Sequence, residues 1–354
     1  MPRFETIGAG SACVYLVDGA GLVNLRRLGT RGPEVAALGL GCMGMSGAYG
    51  PADRGEAIAT IRDALGAGVR LLDTGDFYGM GHNELLIAEA LRGRPRDDYL
   101  LSVKFGGRRG PDGAFIGFDA SPAGVKTSLA YSLVRLGVEH VDIYRPSRLD
   151  PQVPIEETVG AIAELVQAGY VRHIGLSEVG VETIRRAAAV HPICDLQIEY
   201  SLISRGIEAA ILPACRELGI AITAYGILSR GLISGHFAAD RELAPGDFRT
   251  HAPRFDPANR AHNLALVDAL RVIADAKGAS VAQVAIAWVL ARGEDIVALV
   301  GSSTPARLLE ALGSLDVELS ADDISELERA LPAAAVLGDR YPAAGMASLD
   351  SERA

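Results

Sequence analysis

The stretch IGLSEVGVETIRRAAAVHPICDLQIEYSLISRGIEAAILPACRELGIAITAY, Ile174 to Tyr225, sets the rhythm from which the fold can be read. Three short runs rich in apolar residues, Ile174–Ser177, Leu196–Tyr200 and Ile220–Tyr225, are separated by two segments of helical character, Val181–Val190 and Ile207–Leu218. Strands that follow one another through helices are parallel, because a parallel connection needs a crossover longer than a hairpin turn. Parallel strands are covered on both faces and so carry mostly apolar runs.

The same alternation extends in both directions. Upstream, the strands are Leu38-Gly39-Leu40, Leu71-Leu72, Tyr99–Phe105 and Val141–Tyr144, and the helices are Asp53–Ala67, Asn83–Leu91, Ser121–Leu136 and Ile155–Ala168. Downstream, a long irregular segment precedes helices at Asn263–Lys277 and Val281–Ala291, the strand Ile296–Val300 and a helix at Pro305–Leu312. Eight strand–helix units are the number that closes a barrel, whereas an open doubly wound sheet more often stops at five or six. The expected architecture is therefore an α/β fold of the (β/α)8 TIM barrel type spanning residues 25–331. The segment NLRRLGTRGPEVAALGLG reads as a hairpin able to cap the barrel floor before the first strand. Ser320 opens one extra C-terminal helix as N-cap, and residues 332–354 form a tail near the barrel mouth. Residues 1–24 read as an N-terminal extension of uncertain order.

The chain has 354 residues, is 49% hydrophobic and carries a formal charge of −10. An acidic balance argues against nucleic acid or an anionic membrane as partner and favours a small molecule. No uncharged apolar run approaches the ~20 residues of a membrane span, and the N-terminus lacks the basic start and apolar block of a signal peptide. Cys13, Cys42, Cys194 and Cys215 lie far apart with no C-x-x-C pair, which fits reduced thiols in a cytoplasm. The seven histidines form no H-x-H or H-E-x-x-H pair, so no metal site is expected.

Loops after the strands build the active site of such a barrel. The strand ends bring Asp73, Tyr78, Lys104, Ser147, Ser177, Gln197, Tyr225 and Gly301-Ser302-Ser303 to one rim. Asp73, Tyr78 and Lys104 make sense as a unit. A nearby ammonium favours the phenolate and so makes a tyrosine, of ordinary pKa ~10, a readier acid. Asp73 keeps that buried ammonium charged. Taken alone, the trio could equally be a structural ion pair beside a rim aromatic. Val300-Gly301-Ser302-Ser303-Thr304-Pro305 places small residues before a helix whose first turn holds proline, a geometry suited to phosphate, and Arg307 can fork onto a 2′-phosphate, which favours NADP over NAD.

LGLGCMGMS, LLDTGDFYG, LSVKFG, AGYVRHIGLSEV, LQIEYSLISR and LVGSSTPARLLEALG stand in the order found in the aldo-keto reductase family, which the chain resembles from about Leu25 onward. The resemblance implies a nicotinamide-dependent carbonyl reductase in which Asp73, Tyr78 and Lys104 belong to a catalytic tetrad, with Tyr78 as proton donor. It implies further that Ser177 and Gln197 meet the nicotinamide carboxamide, that Tyr225 stacks on its ring, and that Gly226, Leu228, Arg230 and Gly231 wrap the pyrophosphate. Gly301, Ser303, Arg307 and Glu310 would contact the adenosine half, and Gly41 and Met43 complete the NADP(H) cradle. The substrate would be a moderately hydrophobic aldehyde or ketone, in a pocket shaped by Met43, Phe77, Phe105, the segment from Leu232 to Asn259 and the tail; His82 lies close to this rim.

The sequence departs from the family at several points. Ser147 stands where histidine is usual, Glu178 and Ala311 where asparagine is. Arg145, two residues before Ser147, would share its inward face one layer deeper and either supply some of the lost electrostatic stabilisation or pair with an acid for structure. Two other readings stay open: an NADP-holding redox sensor with weak turnover, which the missing histidine allows, and a Schiff-base lyase using Lys104.

Overall fold

The structure, a computed structural model, describes residues 14–17 and 20–353, with side chains from Asn24 onward. Eight strands form a closed, all-parallel barrel: β1 (Leu38–Gly41), β2 (Leu71–Gly75), β3 (Leu100–Phe105), β4 (Val141–Pro146), β5 (Val171–Ser177), β6 (Ile193–Glu199), β7 (Ala221–Tyr225) and β8 (Ile296–Gly301). They neighbour one another in chain order, and β8 returns to pair with β1 through Gly301 and Gly41. This is the (β/α)8 barrel expected from the alternation.

The flanking helices are α1 (Arg54–Gly66), α2 (His82–Ala90), α3 (Pro122–Leu136), α4 (Ile155–Gln167), α5 (Val181–Val190), α6 (Ile211–Leu218), α7 (Pro257–Ala276), α8 (Val281–Leu290) and α9 (Pro305–Leu312), with α10 (Ala321–Ala330) beyond the barrel. Their starts follow from capping: Asp53, Ser121, Ser280, Thr304 and Ser320 each accept a backbone N–H of the first turn. The core lies between the barrel and this ring of helices. No single helix among the described residues is long and apolar enough to cross a membrane.

A smaller cluster, Leu28, Val35, Leu71, Ile143, Cys194, Ala221 and Val297, fills the opposite end of the barrel. Leu28 comes from the turn of the expected hairpin, in which Ala20–Arg27 pairs antiparallel with Glu34–Ala36. It is fully buried, a stabilisation of about 2 kcal/mol for one leucine. Gly29, in left-handed conformation at φ +67, lets this turn press against the Cys194 and Gly219 carbonyls, where a Cβ would lie at 2.5 and 2.7 Å.

Some details differ from the sequence reading. Helix α6 begins at Ile211, because the preceding turn Gly206–Glu208 is of 3-10 type and Ala210 breaks from helical geometry. Helix α7 starts earlier than Asn263, at Pro257, where a proline is tolerated in the first turn. A two-stranded hairpin, Gly107–Arg109 with Phe115–Phe118, follows β3 and had no counterpart in the reading. Of the stretch read as an N-terminal extension, residues 1–13 and 18–19, including Cys13, lie outside the described residues; Val14–Val17 pairs antiparallel with Ala20–Arg27.

Candidate active site

Strands β2 and β3 run in a register that sets Asp73 beside Ser102 and Gly75 beside Lys104. Lys104 Nζ donates to Asp73 Oδ1, while Ser102 Oγ at 2.8 Å and Gln197 Nε2 at 2.7 Å donate to Oδ2. The pair is buried, Asp73 being 3% and Lys104 4% exposed. Burial draws the Lys104 pKa below the ordinary lysine value, and Asp73 opposes that shift.

Just past β2 the chain turns at Asp76, whose N–H donates to the Lys104 carbonyl at 2.9 Å, and delivers Tyr78 so that Lys104 Nζ lies 5.1 Å from its ring centroid. Asn83, buried at the start of α2, locks this turn: it accepts from Thr74 at 2.7 Å and donates to the Cys42 carbonyl and to Ser46 Oγ, both at 2.8 Å. His82 bonds Ser46 at 2.9 Å and so braces the same loop. The Tyr78 hydroxyl is held well above the ordinary tyrosine pKa, first by burial and then by Asp73. The net shift thus runs opposite to the one expected from Lys104 alone, because burial and Asp73 outweigh its help. The ammonium is matched by Asp73, so low polarity dominates and the phenol keeps its proton, which is the form a proton donor needs.

Strand β4 continues through Pro146, and its register pairs Arg145 with Lys104. Arg145 points inward one layer below the mouth, as expected. It donates to Asp195 Oδ2 at 2.9 Å and to Ser102 Oγ at 3.0 Å, and Thr223 Oγ1 also donates to Asp195. With its charge matched by Asp195, Arg145 takes the structural role and braces Ser102 and, through it, Asp73. Gly175 makes room: a Cβ there would lie 2.6 Å from Asp195 Oδ1 and 3.0 Å from Arg145 Cζ. Ser147 is 3% exposed, and its hydroxyl has no hydrogen-bond partner.

The far side of the mouth is held by the C-terminal tail. Glu178 accepts from Arg340 Nη1 at 2.8 Å and Nη2 at 2.7 Å, from Ser351 Oγ at 2.7 Å and from Tyr225 OH at 2.7 Å. These guanidinium and hydroxyl donors overcome burial and hold its carboxyl down at about 2. The Tyr225 and Tyr341 hydroxyls lie 3.0 Å apart. Arg230 turns inward, 3.5 Å from Glu199 Oε2 and stacked 4.5 Å from the Tyr341 ring centroid. Its guanidinium thus lies within ion-pair reach of Glu199, in the same turn that the sequence reading assigns to a pyrophosphate. The non-glycine residues with positive φ among those described, Met80, Glu178, Ser229 and Arg230, all lie in loops after strands at this end. Strain of that kind collects where a surrounding structure serves function.

The site contains groups suited to a dinucleotide. Ser177 Oγ is buried without a partner, Gln197 lies beside Asp73, and Gly226 and Gly231 turn the chain with φ +66 and +93. Gly41 and Gly301 face each other with no side chain between strands β1 and β8, and Met43 follows in a short turn that is half-buried. Helix α9 starts with Thr304 as N-cap and Pro305 behind Ser303. Arg307 is about half exposed and bonds Glu310 at 3.1 Å, which His236 also bonds at 2.7 Å. Among the described residues no His, Cys, Asp or Glu cluster is able to hold a metal ion. Sequence reasoning missed Asn83, Glu199, Arg340 and Tyr341; only Glu178, a carboxylate where an amide is usual, signalled that a cation had to arrive from elsewhere.

The model of the Aldo/keto reductase family matches residues 37–332. A protein of Glycine max named probable aldo-keto reductase 1 is 42% identical over 318 residues, 89% of this chain and 91% of that protein. Among solved structures, the glycerol dehydrogenase of Gluconobacter oxydans superposes with a TM-score of 0.79 at 28% identity, covering 87% of this chain and 94% of that one. A thermostable aldo-keto reductase bound to the inhibitor epalrestat gives 0.69 at 26% identity, over 86% and 99%.

Proposed function

The chain belongs to the aldo/keto reductase family, and from that premise we propose that it is an NADPH-dependent oxidoreductase that reduces an aldehyde or ketone to an alcohol, reversibly, with Tyr78 as proton donor. The observation that carries this reading is the buried Asp73–Lys104 pair beneath the Tyr78 ring. Ser177, Gln197, Tyr225 and the turn Gly226, Leu228, Arg230 and Gly231, together with Gly41 and Met43, would hold the nicotinamide half and pyrophosphate, and Gly301, Ser303, Arg307 and Glu310 would hold the adenosine half. When bound, NADPH supplies the hydride for the carbonyl carbon.

The chain itself does the proton chemistry. Tyr78 donates a hydrogen bond to the carbonyl oxygen and gives up its proton as that oxygen becomes an alcohol. Lys104, kept charged by Asp73, steadies the phenolate left behind. A general acid so placed contributes ~10²–10⁴ in rate. Arg307, more than its neighbours, favours a 2′-phosphate and hence NADP(H) over NAD(H).

Loss of NADPH absorbance over a panel of small aldehydes tests the reading. Tyr78→Phe should lower kcat by about 10²–10⁴ while NADPH binding, followed by fluorescence, stays within about threefold. Equal rates in the two proteins would sink it. A second reading, a dinucleotide-holding redox sensor with weak turnover, is favoured by the serine hydroxyl at position 147. Tight NADPH binding with negligible turnover on every aldehyde would select it.

A further inference from the structure

The deeply buried arginine side chains at and below the mouth each have a carboxylate within 4 Å: Arg145 has Asp195, Arg230 and Arg254 have Glu199, Arg249 has Asp247, and Arg340 has Glu178. Arg148, directly after Ser147, is part-buried in the same mouth and has no carboxylate within that distance among the described residues. Its guanidinium donates to the Ser147 carbonyl at 2.6 Å and to Tyr341 OH at 3.2 Å, and lies 5.7 Å from the Tyr341 ring centroid. Both partners are neutral. Glu178, which acts on Arg148 by its charge from beyond ion-pair distance, already receives Arg340, Ser351 and Tyr225. Next to Arg148 in the chain, the buried Ser147 hydroxyl has no hydrogen-bond partner. A cation left unmatched next to an unmatched hydroxyl, in a mouth that otherwise pairs its charges, is a site for an anion.

We propose that Arg148 anchors an anionic group on the substrate, so that the site prefers carbonyl compounds carrying a carboxylate. The fork of a guanidinium matches a carboxylate with two parallel N–H donors, and the oxygen of Tyr341 that it now serves is exchanged for a stronger acceptor. Ser147 donates its free O–H to the same group or to the carbonyl oxygen beside it. The charges facing Arg148 from neighbouring elements are Glu178 and Arg340, already paired with each other, and the Tyr225 and Tyr341 side chains lie beside it. The side chain remains a cation: burial works against its charge, but the net shift is upward under the opposing influence of Tyr341, Tyr225 and Glu178.

This rests on the carbonyl-reductase reading, and the test separates the two. NADPH-dependent reduction of benzaldehyde and 4-carboxybenzaldehyde is compared in wild type, Arg148→Met and Arg148→Lys. The expected result is a wild-type kcat/KM at least tenfold higher for the carboxylated aldehyde, through KM. That ratio should fall 30- to 100-fold in Arg148→Met and recover in part in Arg148→Lys. An unchanged ratio, whatever the absolute rates, overturns the proposal, because a structural role would weaken both substrates together. Should Arg148→Met fail to fold, wild-type inhibition decides: benzoate must compete at least tenfold more tightly than benzamide, and equal inhibition overturns the proposal. If wild type reduces neither aldehyde, the reductase reading falls; calorimetric binding of benzoate against benzamide then judges Arg148, a preference for benzoate supporting its role and equal binding overturning it.

Discussion

Two layers of one barrel differ in what they leave unpaired. In the deeper layer Arg145, Asp195, Thr223, Ser102, Asp73, Lys104 and Gln197 form a single hydrogen-bonded system in which cation answers anion. At the mouth the Ser147 and Ser177 hydroxyls have no partner, and Arg148 faces neutral groups. The deeper layer fixes positions before anything binds. The mouth keeps donors free for whatever arrives, because a polar group already satisfied inside the protein has little left to offer a ligand.

This contrast can be broken by mutation, starting where the expected loss is greatest. Asp195→Ala leaves Arg145 uncompensated in the interior and should cost about 3–5 kcal/mol in urea unfolding. The double variant Arg145→Met, Asp195→Leu should recover more than half of that, and a single variant with near-wild-type stability would show that the layer is not one charge-balanced system. Gly175→Ala pushes a Cβ toward Asp195 and Arg145 and should destabilise by about 1–3 kcal/mol, read in the same experiment.

Asp76 sharpens the picture at the boundary of the layers. Burial first, then the negative charge of Glu84, pushes its carboxyl up to about 7. A folded pKa above the unfolded one means that its stability contribution is full below pH ~4 and is lost as pH rises through 7. Asp76→Asn should therefore raise stability by about 1–2 kcal/mol at pH 8, and the gain should shrink as pH falls toward 4. A gain independent of pH would exclude this titration as its cause. The smallest effect belongs to the mouth: Ser147→Ala removes a hydroxyl that bonds nothing and should change unfolding free energy by less than about 0.5 kcal/mol.

Much of this was legible in the sequence, and unevenly so. Strand order, the floor hairpin and most helix ends follow from apolar runs and caps that act within a few residues. Asp73, Tyr78 and Lys104 stand out because chemistry-bearing residues sit where strands end. The hairpin Gly107–Arg109 with Phe115–Phe118 left no clear trace, since its strands are short and mostly exposed. The direction of the Tyr78 shift was misjudged for another reason: charge pairing can be guessed from residue types, but the degree of desolvation depends on how the folded chain surrounds the ring. The nearness of Arg230 to Glu199 likewise joins two separate stretches of chain that no local pattern links.

The bond between Arg340 and Glu178 joins positions 162 residues apart. At a synthesis rate of roughly 5–20 residues per second, Glu178 spends on the order of ten to thirty seconds outside the ribosome's active centre before its guanidinium has even been made. The clasp on the tail therefore forms only after every barrel strand has been made, and a barrel caught before that moment carries an unanswered acid beside Tyr225.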